Sequence, residues 1–200
     1  SIPPRQVILY EATDAYGRLM PSLGTVSNGV MAYMDAPTEM PQLNTTEIWE
    51  VFNETMDAHP IHLHAVTMQM INRQKFTATV DPITGKPTNI KLKGLPSAPL
   101  PDEKGWKDTW VMYPGEVTRV IAKFDLAGMY VWHCHILSHE DNEMMRPLHI
   151  MDGPMRTSNS GGAAMMTPQM MEQQIGLKIT PNPFSNIVTV RFTTDKLATI

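Results

Sequence analysis

Apolar positions in the first three quarters of the chain gather in short runs, set apart by polar and turn-forming residues. The runs "RQVILYEA", "TEIWEVFNET", "AVTMQMINR", "VTRVIAKFD", "GMYVWHCHI" and "MRPLHIMD" are short and rich in Val, Ile and aromatic residues. Successive side chains on a strand point to opposite faces, so such runs suit strands with one face in a core. Pro, Gly, Asn and Asp separate them, as in "DPITGKPTN" and "YPGEV", and these residues supply the φ values that turns require. No long stretch carries a helical period. The pattern predicts an all-β sandwich or barrel.

From Gly153 the pattern stops. "GPMRTSNSGGAAMMTPQMMEQQIG" has no strand signal and reads as a flexible linker over 153–175. Strand-like alternation returns in "LKITPNPFSNIVTVRFTTDKLATI", which is too short for a core of its own. Three segments are therefore expected: a β domain over 1–152, the linker, and a truncated β tail over 176–200. The chain opens on "SIPPRQVILY" without a methionine, as a piece of a longer precursor would.

Composition narrows the function. The chain has 200 residues, 42% of them hydrophobic, which suffices for a real core. A net charge of −4 with 18% charged residues offers no basic field for nucleic acid or anionic lipid. No run approaches the roughly 20 apolar residues of a membrane-spanning helix. One cysteine excludes an internal disulfide and leaves a buried thiol, a nucleophile or a metal ligand. Seventeen methionines are first of all adaptable core fillers.

The histidines change the picture. Six of the seven fall in two clusters: His59, His62 and His64 in "HPIHLH", and His133, His135 and His139 in "HCHILSH". Imidazole is the commonest metal ligand, and imidazole with thiolate suits copper, iron or zinc. On one strand, His133 and His135 face one way and Cys134 the other. His62 and His64 likewise share a face, while His59 lies across Pro60 and is free to reach elsewhere. The natural sorting joins Cys134, His59 and His139 in one site and His62, His64, His133 and His135 in a second. Two His and one Cys with a weak axial Met describe a blue-copper centre, with Met144 as the axial candidate and Met145 its competitor. A closed tetrahedral zinc site would use the same donors, but it leaves the four imidazoles on the opposite face unexplained. Met144 as plain core packing also remains open.

"HPIHLH" followed by "YVWHCHILSHEDNEMMRP", with "EIWEVFN" before and "EKGWKDTW" between, resembles the third cupredoxin domain of three-domain multicopper oxidases. The likeness is greatest to the spore-coat laccases and bilirubin oxidases. It implies a cupredoxin-like Greek-key β-sandwich and copper as the cofactor. Cys134, His59, His139 and Met144 would hold a type-1 copper. His62 would serve a type-2 copper, and His64, His133 and His135 a type-3 pair. A reducing substrate would dock near the edge of His59, and electrons would pass through Cys134 to a trinuclear centre that reduces dioxygen to water. The remaining ligands of that centre would come from N-terminal cupredoxin domains of the same protein. Glu140 matches a carboxylate that helps deliver protons, or else is an exposed acid in the run "EDNE". Asp108 would orient a ligand imidazole or cap a turn, and His149 is structural.

The resemblance leaves the reducing substrate open among phenols, aromatic amines, pigments and metal ions. The loop "LGTVSNGVMAYMDAPTEMPQ" is expected to border its pocket. The tail "LKITPNPFSNIVTVRFT" resembles the opening of type IX secretion sorting domains, which implies a secreted or surface-attached protein of a Gram-negative bacterium. "MMTPQMM" could bind Cu(I) through thioethers or simply belong to the linker. A stand-alone blue-copper electron carrier is the rival function, and a copper-storage module a third.

Overall fold

The structure, a computed structural model, describes residues 2–153 and the short stretches 178–180 and 189–191. The chain divides into two compact units, Ser1–Thr157 and Ser158–Ile200. In the second unit two strands, Lys178–Thr180 and Thr189–Arg191, pair antiparallel. The methionine-rich segment and the Pro-Asn-Pro turn lie outside the described residues.

The first unit is built from eleven strands. They are β1 (Arg5–Thr13), β2 (Leu19–Thr25), β3 (Gly29–Met31), β4 (Thr45–Asn53), β5 (His59–Leu63) and β6 (Met68–Val80). Then come β7 (Pro87–Ser97), β8 (Thr109–Met112), β9 (Glu116–Phe124), β10 (Gly128–Cys134) and β11 (Met145–Ile150). A single helical turn, α1 (Leu137–Glu140), separates the last two. One sheet has the order β3-β2-β1-β4-β9-β6-β7, the other β11-β10-β5-β8. β1 and β4 are parallel, and all other ladders are antiparallel.

Alternation along the strands decides which side chains meet. Val7, Leu9, Trp49 and Val51 turn inward from the large sheet to meet Ile61, Leu63, Trp132 and Cys134 of the small one. The Trp49 and Trp132 rings cross edge-on at a centroid separation of 5.6 Å, a favoured aromatic geometry. Ile8 and Phe52, one position out of phase, join Phe76 and Val117 in a second cluster. The all-β two-sheet expectation holds, and it places the thiol of Cys134 in the core.

Buried charge ties a long loop to the site. Arg146 and Glu39 are fully buried. Arg146 donates to the carbonyl oxygens of Ala32, Asp35 and Ala36. Its Nε lies 3.9 Å from Glu39 Oε2, too far for a hydrogen bond. Glu39 accepts instead from Thr38 at 2.6 Å and the Trp132 indole at 3.4 Å. The segment 32–39 is thereby fastened to β10 and β11.

Candidate metal centres

β5 lies between β10 and β8 and carries His59 and His62 of the first histidine cluster, with His64 just past its end. Its alternation runs straight through Pro60, which pairs with Val111. His59, Ile61 and Leu63 are buried, whereas Pro60 and His62 are less so. His62 stands opposite His133, and Ile61 opposite Cys134. Cross-strand partners share a face, so His59 falls on the Cys134 side by strand geometry alone.

On that side, the donor atoms of His59, Cys134 and His139 all lie within 4.8 Å of one another. Sγ of Cys134 is 3.6 Å from His59 Nδ1 and 3.9 Å from His139 Nδ1. Burial pushes the thiol up to about 11, and it pushes His59, with help from the neighbouring His139, down to about 4. Both groups are thus neutral at pH 7 without a metal: the cavity favours uncharged donors.

Met144 is fully buried and packs in the same core cluster as Cys134. Its amide donates to His139 O at 3.1 Å, and its carbonyl accepts from the Cys134 amide at 3.0 Å. These two bonds close the loop that joins the candidate ligands. Met145 pairs with His133 across β10 and β11, so it sits on the opposite face and does not compete with Met144.

The second face gathers His62, His64 and His133, whose donor atoms also lie within 4.8 Å of one another. His135 stands outside that group, with its ring 5.6 Å from His133 and 5.9 Å from His62. Proton positions follow from the partners. His62 Nδ1 lies 3.0 Å from Asp108 O, and His133 Nδ1 lies 3.0 Å from Cys134 O. A carbonyl oxygen only accepts, so both rings are protonated at Nδ1 and bare at Nε2. The bare His133 Nε2 lies 3.1 Å from His64 Nε2. Burial and the adjoining His62 and His133 push His64 below its usual range.

Glu140 is not loose in solvent: its Oε2 is buried without a hydrogen-bond partner and lies 3.4 Å from His133 Nδ1. Asp108 acts on His62 chiefly through its backbone oxygen. Its carboxylate lies 3.9 Å away from the ring and instead accepts from Thr109 Oγ1. His149 lies on β11, and its amide donates to Glu39 O.

One expectation is overturned. His59 is completely shielded, because Thr55 and Glu11 close over its Nε2 edge at 2.8 and 3.5 Å. No substrate can dock at that edge in this chain. The half-buried ring of His139 is the accessible imidazole of the thiol site. Sequence reasoning also missed Asn53, Thr55 and Arg146. An arginine and an asparagine inside otherwise apolar strand runs were the available signals.

The donor sets fit copper. Thiolate with two imidazoles is a soft set that copper prefers, and three more imidazole nitrogens converge on the opposite face of the same strand. Residues 1–154 match the multicopper oxidase family, and the chain belongs to that family. It is 42% identical over 149 residues to the laccase of Bacillus subtilis (strain 168), spanning 74% of this chain and 28% of that protein. To the laccase of Haloferax volcanii it is 38% identical over 156 residues, or 72% of this chain and 24% of that one. The crystal structure of a multi-copper oxidase from Pediococcus acidilactici superposes with a TM-score of 0.55 at 27% identity, covering 82% of this chain and 29% of that chain. The two-sheet fold is the cupredoxin-like fold of these oxidoreductases, and the chain spans less than a third of their length.

Proposed function

We propose that residues 1–152 form the third cupredoxin domain of a laccase-like multicopper oxidase. This domain would contain the whole type-1 copper site and half of a trinuclear site. One observation carries the proposal: β10 turns Cys134 into the core toward His59 and His139, while His133 faces His62 and His64 on the other side. A stand-alone electron carrier needs only the first group. Copper, when bound, would supply one-electron transfer at the sulfur site and dioxygen reduction at the histidine site.

The chain's own residues divide the remaining tasks. Cys134, His59, His139 and Met144 would hold the type-1 ion. His62 would hold the type-2 ion, and His64, His133 and His135 the type-3 pair, with N-terminal domains completing both. The peptide link from Cys134 to His133 and His135 joins the two sites covalently. His139 presents the accessible edge to a reducing substrate. The segment 32–39, fixed by Arg146 and by the Tyr33 amide on Glu143 at 2.9 Å, would border that substrate's pocket. Glu140 would help deliver protons beside His133. Secretion through a type IX system is supported by the sequence of 177–193 alone. The test of the oxidase reading is dioxygen uptake by the copper-loaded, full-length protein with a phenol as reductant. Uptake that a copper chelator abolishes is expected. Electron exchange with a redox partner but no dioxygen uptake would establish the carrier instead.

Two substitutions check individual roles. Glu140→Gln keeps the shape but cannot carry a proton, so turnover should fall by about 10²-fold or more, with the pH profile altered and the sulfur-to-copper absorption unchanged. An unaltered profile would remove Glu140 from proton delivery. Met144→Leu takes away a donor that favours oxidised copper, so the type-1 potential should rise. A redox titration showing no change would mean that the thioether is not bound.

A further inference from the structure

His59 is held by a short hydrogen-bonded chain whose proton count can be followed from one end to the other. All three members are shielded: Asn53 and His59 are fully buried, and Thr55 is 6% exposed. Asn53 Nδ2 lies 2.8 Å from Asp57 O and 2.9 Å from Met112 O. Both partners only accept, so the amide nitrogen must be on that side, and the orientation of the Asn53 side chain is settled. Its Oδ1 therefore faces Thr55, accepting from the Thr55 amide at 2.9 Å and standing 2.8 Å from Thr55 Oγ1.

Thr55 has one hydroxyl proton and two lone pairs. Two acceptor-only oxygens surround it, Asn53 Oδ1 at 2.8 Å and Asp57 O at 3.0 Å. The proton must point to that side, or three oxygens would face one another unscreened. Both lone pairs are then turned to the remaining neighbours, the Asp57 amide at 3.2 Å and His59 Nε2 at 2.8 Å. A lone pair facing Nε2 requires Nε2 to be the donor. The Glu11 carboxylate oxygen at 3.5 Å on the same edge favours a proton there as well.

We propose that Asn53 and Thr55 are positioning residues that lock His59 in the Nε2–H tautomer before any metal arrives, with the bare Nδ1 aimed at Cys134 Sγ. The ring has only one proton to place when neutral, so fixing it at Nε2 leaves the Nδ1 lone pair free at 3.6 Å from the sulfur. The chain Asn53–Thr55–His59 also accepts from the ring once it is a ligand, which makes the imidazole a stronger donor and favours oxidised copper. β4 ends at Asn53 and β5 begins at His59, so the turn between them is built around this chain. The function of the turn is thus to deliver a ligand with its proton already in place. This inference rests on the reading of His59 as a copper ligand.

The first test is nitrogen-15 NMR of histidine-labelled, metal-free, full-length protein. One slowly exchanging imidazole with Nε2 protonated and Nδ1 bare is expected; an Nδ1–H tautomer for His59 overturns the proposal. The second test is Thr55→Val, which keeps the volume and removes the acceptor. Copper affinity of the sulfur site should fall by about 10- to 100-fold, and the type-1 potential should rise, with Thr55→Ser restoring both. Wild-type affinity and potential in Thr55→Val would contradict the proposal. If the valine variant does not fold, the tautomer measurement on the wild-type protein decides alone. The expected tautomer in a protein that binds no copper would count against the oxidase reading and leave the tautomer assignment standing.

Discussion

Replacing Cys134 with Ser is expected to reduce substrate oxidation by the full-length, copper-loaded protein to the uncatalysed background. The serine oxygen is hard and keeps its proton at neutral pH, so it does not replace a thiolate toward copper. The substitution is small and its site is pre-shaped by Trp132, Ile61 and Met144, so folding should survive with a modest loss. The histidines on the other face are held by contacts that do not involve sulfur: His62 through Asp108 O, and His133 through Cys134 O. Their copper should therefore remain. Steady-state oxidation of a phenol measures the loss. Activity within tenfold of wild type would mean that electrons enter the histidine site by another route.

The second large effect concerns stability. Arg146→Ala should destabilise the protein by about 3–5 kcal/mol, the range expected when one partner of a buried charge pair is removed. The margin of a domain is typically about 5–15 kcal/mol, so this is a large share. The reason lies in what is left behind. Glu39 stays at zero exposure without its cation, and the carbonyl oxygens of Ala32, Asp35 and Ala36 lose their donor. The segment over the candidate substrate edge would come free at the same time. Arg146→Lys keeps the charge but lacks the planar fork that reaches several oxygens, so it should recover only part of the loss. Denaturant unfolding of the full-length variant gives the number, and a change under about 1 kcal/mol, the scale of an exposed ion pair, would show that the buried pair contributes little.

How much of this was legible in the sequence depended on whether periodicity or tertiary contact carried the information. β1, β4, β9, β10 and β11 stand out as apolar runs because they meet buried clusters, on both faces in β1 and β4. β7 does not: almost every residue from Thr88 to Ser97 is exposed. It is an edge strand held by its hairpin with β6, and only Ile90 and Leu92, alternating with Asn89 and two lysines, mark it in the sequence. The opposed placement of Cys134 and His133 could be read directly, since it needs only the period of a strand. The side of His59 was also derivable, had Pro60 not been taken as a break in the strand. Pro60 lacks an amide proton, but its carbonyl still accepts from the His135 amide at 2.7 Å, and the alternation continues. The shielding of His59 was not legible. It comes from Glu11 on a different sheet and from Thr55 in the preceding turn, and neither proximity leaves a mark on spacing.

Two backbone positions add a local signature. Ala65 and Glu143 adopt positive φ values of 65° and 66°, and each adjoins a candidate ligand, His64 or Met144. Residues with a Cβ enter this region at a cost of about 1–2 kcal/mol. The chain accepts that cost where it must turn sharply to bring a donor into place, a recurring trait of functional sites.

Copper-edge X-ray absorption on the copper-loaded, full-length protein tests the central claim most directly, since it reports which atoms surround the metal. A short copper–sulfur path should be present at a fraction of the total copper, together with dominant imidazole scattering. In Cys134→Ser the sulfur path should vanish while most of the imidazole scattering stays. A wild-type spectrum without the sulfur path, or collapse of the imidazole signal together with the sulfur, would contradict two metal sites on opposite faces of one strand.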